Sequence, residues 1–334
     1  MAQIASLPRP ADRRTVVAVG TMLVAVALVV SVGDPGRFAW VRTFFVIFGS
    51  LLIQALPFVL LGALAAALVE VFVPIGWFEK LGVLPRPLQL PAAALAGLAF
   101  PICECGSVPV ARRLMQRGLM PSAAVTFMLA APVLNPVVIA STFVAFRGRT
   151  TLWTMVGGRF LLGMLVAIAV GWVIGNRSKD ELLKPNPEEA DEHLLQLGRP
   201  EARWRRFFVH LGNDFLFMGR YLLLGATIAA AIQTFLPTSL LTGLAERQVI
   251  SVLAMMALAA ALSLCSESDA FVAASFVQFG PSAMLGFLVF GPMVDLKLVS
   301  LYAGTFRRGF ARTVVLVAAV ATFVGALWVG VAFG

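Results

Sequence analysis

A chain of 334 residues that is 60% hydrophobic and only 13% charged, with a mean hydropathy of +0.91, does not read as a soluble globular domain. Such domains carry about 25% charged residues, so here lipid must be the solvent for much of the surface. The net charge of +9 does not point to nucleic acid, because the basic residues fall in short clusters between apolar runs, where a cytoplasmic membrane face and anionic headgroups hold them.

Apolar runs near the roughly 20 residues that a spanning helix needs occur at 16–33, 41–73, 121–146, 150–175, 207–236, 281–304 and 311–333. The first follows Arg13 and Arg14 but lacks a convincing cleavage site, so residues 1–40 read as an extra, retained transmembrane helix. The second, with Pro57 inside it, is expected to begin at the interface. Two further apolar stretches, 88–118 and 248–277, are interrupted by the polar clusters Cys103-Glu104-Cys105-Gly106-Ser107 and Cys265-Ser266-Glu267-Ser268-Asp269. Residues 176–206 hold seven Lys/Arg, seven Asp/Glu and three Pro, the composition of a hydrophilic linker.

The linker separates two similar units, 41–175 and 207–334. LLGALAAALVEVFVP at 60–74 and LLGATIAAAIQTFLP at 223–237 share eight of fifteen residues. PSAAVTFMLAAPVLN at 121–135 and PSAMLGFLVFGPMVD at 281–295 share five, with Pro132 over Pro292 and Asn135 over Asp295. With Cys103 over Cys265, the offsets are 163, 162 and 160, which makes an internal duplication the expectation. If both cysteine segments cross fully, positive charge divides 12 to 12 between the two sides. If both turn back as hairpins, the linker side holds 18 Lys/Arg against 6, with Arg159 counted in the smaller group. Positive residues favour the cytoplasm, so the hairpin arrangement and a cytoplasmic linker are preferred. Each unit then has an odd number of spans, and the two are inverted. The fold class expected is an all-α polytopic membrane protein.

Three constellations carry chemistry. Around Cys103, Glu104, Cys105 and Ser107, two prolines and a glycine break any regular helix and free backbone groups for a ligand. Two thiols flanking a carboxylate offer soft and hard donors together; the plainer alternative is that each Cys is a small buried hydrophobe. In the second cluster, Glu267 and Asp269 are costly inside an apolar run unless they face a cavity, are protonated or are paired. Third, Asn135 and Asp295 each follow a mid-span proline by three residues. Lys297 is placed to pair with Asp295, Glu267 or Asp269. Glu70 and its counterpart Gln233 read as helix ends at the interface. No nucleotide-binding loop occurs and no cofactor is expected.

The runs PICECGSVPVARRLMQRG and PSAAVTFMLAAPVLNPVVI resemble the bacterial predicted-permease family that includes the organoarsenical efflux permeases, and LCSESDAFVAASF with FGPMVDLKL resembles that family's second repeat. The resemblance covers about residues 40–330 and implies a multi-pass permease of the bacterial inner membrane, some of whose relatives export trivalent methylated arsenic or soft metal ions. On this reading the chain is a secondary transporter and not an enzyme. Cys103, Cys105 and Cys265 offer three sulfurs to a soft centre, metal or arsenic, and Glu104, Glu267 and Asp269 carry protons or complete the coordination. Substrate and lipid are the expected partners, with room for a homo-oligomer. A membrane thiol–disulfide carrier is the alternative, opposed by the carboxylates beside the thiols, which make them less reactive.

Overall fold

The computed structural model describes residues 39–72, 85–99, 102–184, 203–235 and 247–333. The expected helix at 16–33 and most of the linker lie outside the described residues. The described residues include the helices α1 Ala39–Phe72, α2 Arg86–Ala96, α3 Glu104–Gln116, α4 Pro121–Leu134, α5 Pro136–Ala145, α6 Leu152–Ile174, α7 Arg203–Phe235, α8 Gln248–Leu262, α9 Asp269–Ser275, α10 Pro281–Phe290, α11 Leu296–Thr305 and α12 Arg308–Phe333. Among the described residues there is no strand, only an isolated bridge between Leu183 and Phe306.

Five helical stretches are long and apolar enough to cross a bilayer: Trp40–Leu68, Pro121–Ala145, Leu152–Ile174, His210–Phe235 and Gly309–Ala332. Their outer faces expose large apolar side chains such as Leu61, Leu161, Leu165, Val320 and Val324, a surface that suits lipid. On α6 the exposed Trp153 and Trp172 lie 19 residues apart, about 28 Å along a helix, close to the hydrocarbon thickness between two aromatic belts. The run 281–304, expected as one span, is two helices. Pro292 and the turn Gly291–Val294 interrupt it, and α11 restarts at Asp295.

Contacts at the two ends of α6 orient the short helices. At its C-terminal end the start of the linker docks on α11. Lys184 N–H donates to Thr305 O (3.0 Å), and Arg307 N–H to Leu182 O (2.9 Å). Arg112, near the end of α3, donates to Lys184 O (3.0 Å) and Thr305 O (3.5 Å). The C-termini of α3, α6 and α11 therefore meet at one end of the molecule, the linker end. At the other end of α6, Arg149 in the preceding turn donates to Ala274 O of α9 (2.8 Å). So α3 and α11 point toward the linker end, whereas α5 and α9 point away from it.

The same reasoning traces the cysteine segments. In the last turn of α6, Gly171 abuts Leu90 of α2 and Ser122, near the start of α4. Deeper in, Gly97 abuts the Ala131 backbone. α2 thus runs inward from the linker end and α3 runs back. In the second half Gly330 abuts Gln248 and Ser282 at the far end, while Gly291 abuts Ala259. α8 runs inward from that far end and α9 returns to it. Each pair, α2 with α3 and α8 with α9, is thus a helical hairpin, and the two open toward opposite ends of the molecule.

Two glycines in matching LLG runs let the long helices approach this centre. Gly62 of α1 lies directly against the Gly106 backbone in α3, with no room for a Cβ. A Cβ on Gly225 of α7 would fall 2.6 Å from the Lys297 Cα in α11. α1 and α7 also pack extensively on each other.

Candidate functional site

Four short helices begin at the middle of the molecule, because the sequence breaks the backbone there. Pro136 cannot donate a ladder hydrogen bond, so α4 ends and α5 starts at Asn135, whose side-chain oxygen accepts from Val137 N–H (2.9 Å). Asp295 does the same for α11, accepting from Leu298 N–H (2.6 Å). α8 ends at Ser263, the sole described residue other than glycine with positive φ (48°). Its hydroxyl accepts from Leu296 N–H (3.2 Å), pinning the second hairpin to the start of α11. Gln233 donates to Leu262 O (2.8 Å), so it closes the end of α8 instead of marking an interface as expected. The Glu70 side chain lies outside the described set.

The breaks bring charged groups together. Glu104, the first residue of α3, is fully buried; its Oε2 accepts from Ser266 Oγ (3.1 Å), and its Oε1 lies 3.6 Å from Lys297 Nζ. Lys297 Nζ lies 3.7 Å from Asp295 Oδ2. Of the pairings open to Lys297, the structure therefore has Asp295, adds Glu104, and gives Asp269 to another cation. That cation is Arg159 of α6, fully buried, which donates to both oxygens of Asp269 (2.8 and 2.7 Å), to Thr142 Oγ1 (3.0 Å) and to Ser266 O (3.2 Å). Arg159 is not a loop charge, as the charge count assumed. Removing it from the smaller group strengthens the bias.

Ser266 is the link between the two ion clusters. Its hydroxyl holds Glu104 and its carbonyl holds Arg159, so one residue at the second hairpin's tip is gripped by two residues of the first half. Glu267 is half-buried beside this junction, and its Oε2 makes no hydrogen bond. Ser107 is buried one turn into α3 and donates to Glu104 O (2.9 Å). Asn135 is buried too, with its oxygen spent on the cap of α5. Four carboxylates, Glu104, Glu267, Asp269 and Asp295, face two cations, Arg159 and Lys297, a formal charge of 2 − 4 = −2. The N-termini of α3, α5 and α11 add partial positive charge at the same place.

All three cysteines are buried, free thiols. Cys103 and Cys105 flank Glu104 at the start of α3, and Cys265 precedes Ser266. Among the described residues no group of three or more His, Cys, Asp or Glu is gathered closely enough to hold a metal ion. A narrow crevice beside Cys105 is lined by Val59, Met218, Leu222, Lys297 and Leu301. A second crevice shares Met218 and Leu301 with it and reaches Arg112, Asp214 and Thr305 at the linker end.

Residues 41–331 match the sequence profile of a family described as predicted permease. The UPF0718 protein YcgR of Bacillus subtilis (strain 168) is 39% identical over 285 residues, covering 85% of this chain and 95% of that protein. A Streptococcus mutans serotype c (strain ATCC 700610 / UA159) protein is 32% identical over 288 residues, covering 85% of this chain and 94% of its own length. It carries the provisional name two-component membrane permease complex subunit. No solved structure matches.

Proposed function

This chain belongs to the predicted permease family, and on that premise we propose that it is a secondary transporter exporting a small thiophilic solute, a trivalent organoarsenical or a soft metal ion. The observation that carries the proposal is the buried junction at which Glu104, Ser266, Lys297, Arg159 and Asp269 meet, with Cys103, Cys105 and Cys265 around it. Charge buried at this depth is costly, and in membrane carriers it marks a substrate or ion path. Broken helices whose ends meet at the centre are also how inverted-repeat transporters build a midplane site. The two opposed hairpins support a duplicated, inverted organisation that rocks about this junction.

The sulfurs supply affinity for a soft centre, and the carboxylates supply its charge balance. Burial weighs against the thiol–disulfide carrier, because exchange requires a thiol that a partner can reach. The chain sits in the bacterial inner membrane with its linker in the cytoplasm. The name of the Streptococcus relative supports a second subunit as a partner.

Everted membrane vesicles test the proposal. Wild-type vesicles accumulate a trivalent arsenical or a soft metal ion from a panel, and Cys103→Ser or Cys265→Ser abolishes uptake without loss of folded protein. Full transport by a Cys103→Ser, Cys105→Ser, Cys265→Ser triple variant overturns the thiophilic substrate.

A further inference from the structure

Three helix faces form one seam between the central junction and the linker end. On α11, Lys297, Leu301 and Thr305 recur at every fourth residue, and on α7 so do Asp214, Met218 and Leu222, a spacing that keeps each set on one face. α3 contributes Cys105 and, two turns on, Arg112. Asp214 shares the linker-end crevice with Arg112 and Thr305, and Leu222 shares the central crevice with Cys105 and Lys297, so α7 runs opposite to α3 and α11. The two crevices join at Met218 and Leu301. The seam is polar at both ends and apolar in the middle, and it is about 12 Å long along α11. One wall belongs to the first half and two to the second, so rocking of the halves widens or shuts it.

The linker end of the seam is clasped. Arg112 reaches across it from α3 to Thr305 O of α11 (3.5 Å) and to Lys184 O (3.0 Å). Beside it, residues 182–184 run as a short antiparallel strap along 305–307. Leu183 lies opposite Phe306, between the bonds from Lys184 N–H to Thr305 O (3.0 Å) and from Arg307 N–H to Leu182 O (2.9 Å). Lys184 Nζ donates to Ala303 O as well. The strap continues the chain from α6, so it binds the first half to the second, as Arg112 does. Under the clasp, Thr305 Oγ1 is buried without a hydrogen bond, a polar atom on the seam wall that a passing solute or water can satisfy.

Resting on the transport reading above only for its cargo, we propose that this seam is the solute's route between the linker end and the junction, and that Arg112 with the 182–184 strap is the clasp that shuts it.

Thiol accessibility tests the route without any substrate. The full chain with Cys103→Ser and Cys265→Ser is placed in lipid nanodiscs, and a small charged methanethiosulfonate reads Cys105, at the inner end of the seam, by mass at that residue. Arg112→Met is expected to speed the modification about 10–100-fold, the factor of one charge-assisted hydrogen bond, and Arg112→Lys to restore part of the closure. A disulfide supplies the converse. Leu183 and Phe306 form a pair flanked by hydrogen bonds that neither makes, which sets their Cα atoms about 4.5 Å apart, within disulfide reach. Oxidised Leu183→Cys with Phe306→Cys is expected to cancel the gain in Arg112→Met, and to hold Cys105 below its rate in the reduced form of the same protein. That comparison stands even if Arg112→Met does not fold, and the reduced form controls for the lost aromatic packing. Equal Cys105 rates in the oxidised and reduced forms overturn the clasp, as does a folded Arg112→Met protein no faster than its parent. Accessibility that follows the clasp, in a protein that moves no arsenical or metal ion in vesicles, overturns the substrate reading and leaves the route standing.

Discussion

Arg159 of α6 and Asp269 of α9 are joined by two parallel hydrogen bonds of 2.8 and 2.7 Å, with both side chains removed from solvent. The pair ties a fully buried cation of the first half to the tip of the second half's hairpin. It also sets the Ser266 carbonyl 3.2 Å from the same guanidinium, and so the Ser266 hydroxyl against Glu104. Arg159 is a positioning residue for the junction.

Breaking this pair from one side is expected to be more damaging than removing both partners. Arg159→Met leaves Asp269 buried without a cation, and removing one member of a buried pair typically costs about 3–5 kcal/mol. Arg159→Met with Asp269→Leu replaces the pair by apolar groups and recovers much of that loss. Thermal unfolding in detergent checks the order of the three proteins. A double variant no more stable than Arg159→Met would mean that Arg159 stabilises chiefly through Thr142 and Ser266.

The helical, lipid-facing architecture and the family were legible in the sequence because long apolar runs and the C-E-C-G-S-V-P run state them locally. The pairing of Glu104 with Lys297 was not, since 193 residues separate them and neither neighbourhood names its partner. Arg159 was missed although a signal existed. A lone arginine inside the 23-residue apolar run Leu152–Ile174 has to find an acid, and Asp269, in an apolar run of its own, needs a cation. The break in 281–304 was half legible: Pro292 predicts a kink, but the side-chain cap by Asp295 makes it a restart.

Asp295 serves both as the cap of α11 and as a partner of Lys297, and two substitutions separate these roles. Asn caps as well as Asp, so Asp295→Asn keeps α11 while removing the charge. Asp295→Ala loses both, with the cap worth about 1 kcal/mol. Asp295→Asn is therefore expected to be the more stable of the two, while both lose transport to a similar degree in vesicles. Transport retained by Asp295→Asn would limit Asp295 to capping.

Gly62 and Gly225 are expected to reject even one methyl group. Each presses on backbone, the Gly106 backbone in α3 or that of Lys297 in α11, and backbone does not rotate aside as a side chain does. Gly62→Ala and Gly225→Ala are expected to destabilise by about 1–3 kcal/mol through overpacking. Gly157→Ala, where a Cβ meets nothing within 4 Å in the second turn of α6, is the control and should be neutral or slightly stabilising. Melting temperatures of the three variants decide the matter.

Orientation in the membrane is tested by single-cysteine labelling. Glu181, exposed just after α6, stands at the end where Lys184, Arg112 and Thr305 converge. Arg147, exposed in the turn after α5, stands at the end where Arg149 meets Ala274. α6 lies between them, and its Trp153 and Trp172 are spaced for two interfaces, so the two positions should lie on opposite sides of the bilayer. The excess of Lys/Arg on the linker side predicts that this side is cytoplasmic. The native thiols are buried and should stay silent toward a bulky maleimide, which allows the wild-type background to be used. In intact cells an impermeant maleimide is expected to label Arg147→Cys and spare Glu181→Cys, and in everted vesicles the pattern should reverse. Labelling of both from one side would remove α6 as a span, and with it the opposed entry of the two hairpins. Labelling of Glu181→Cys alone in intact cells would keep the architecture and place the linker outside.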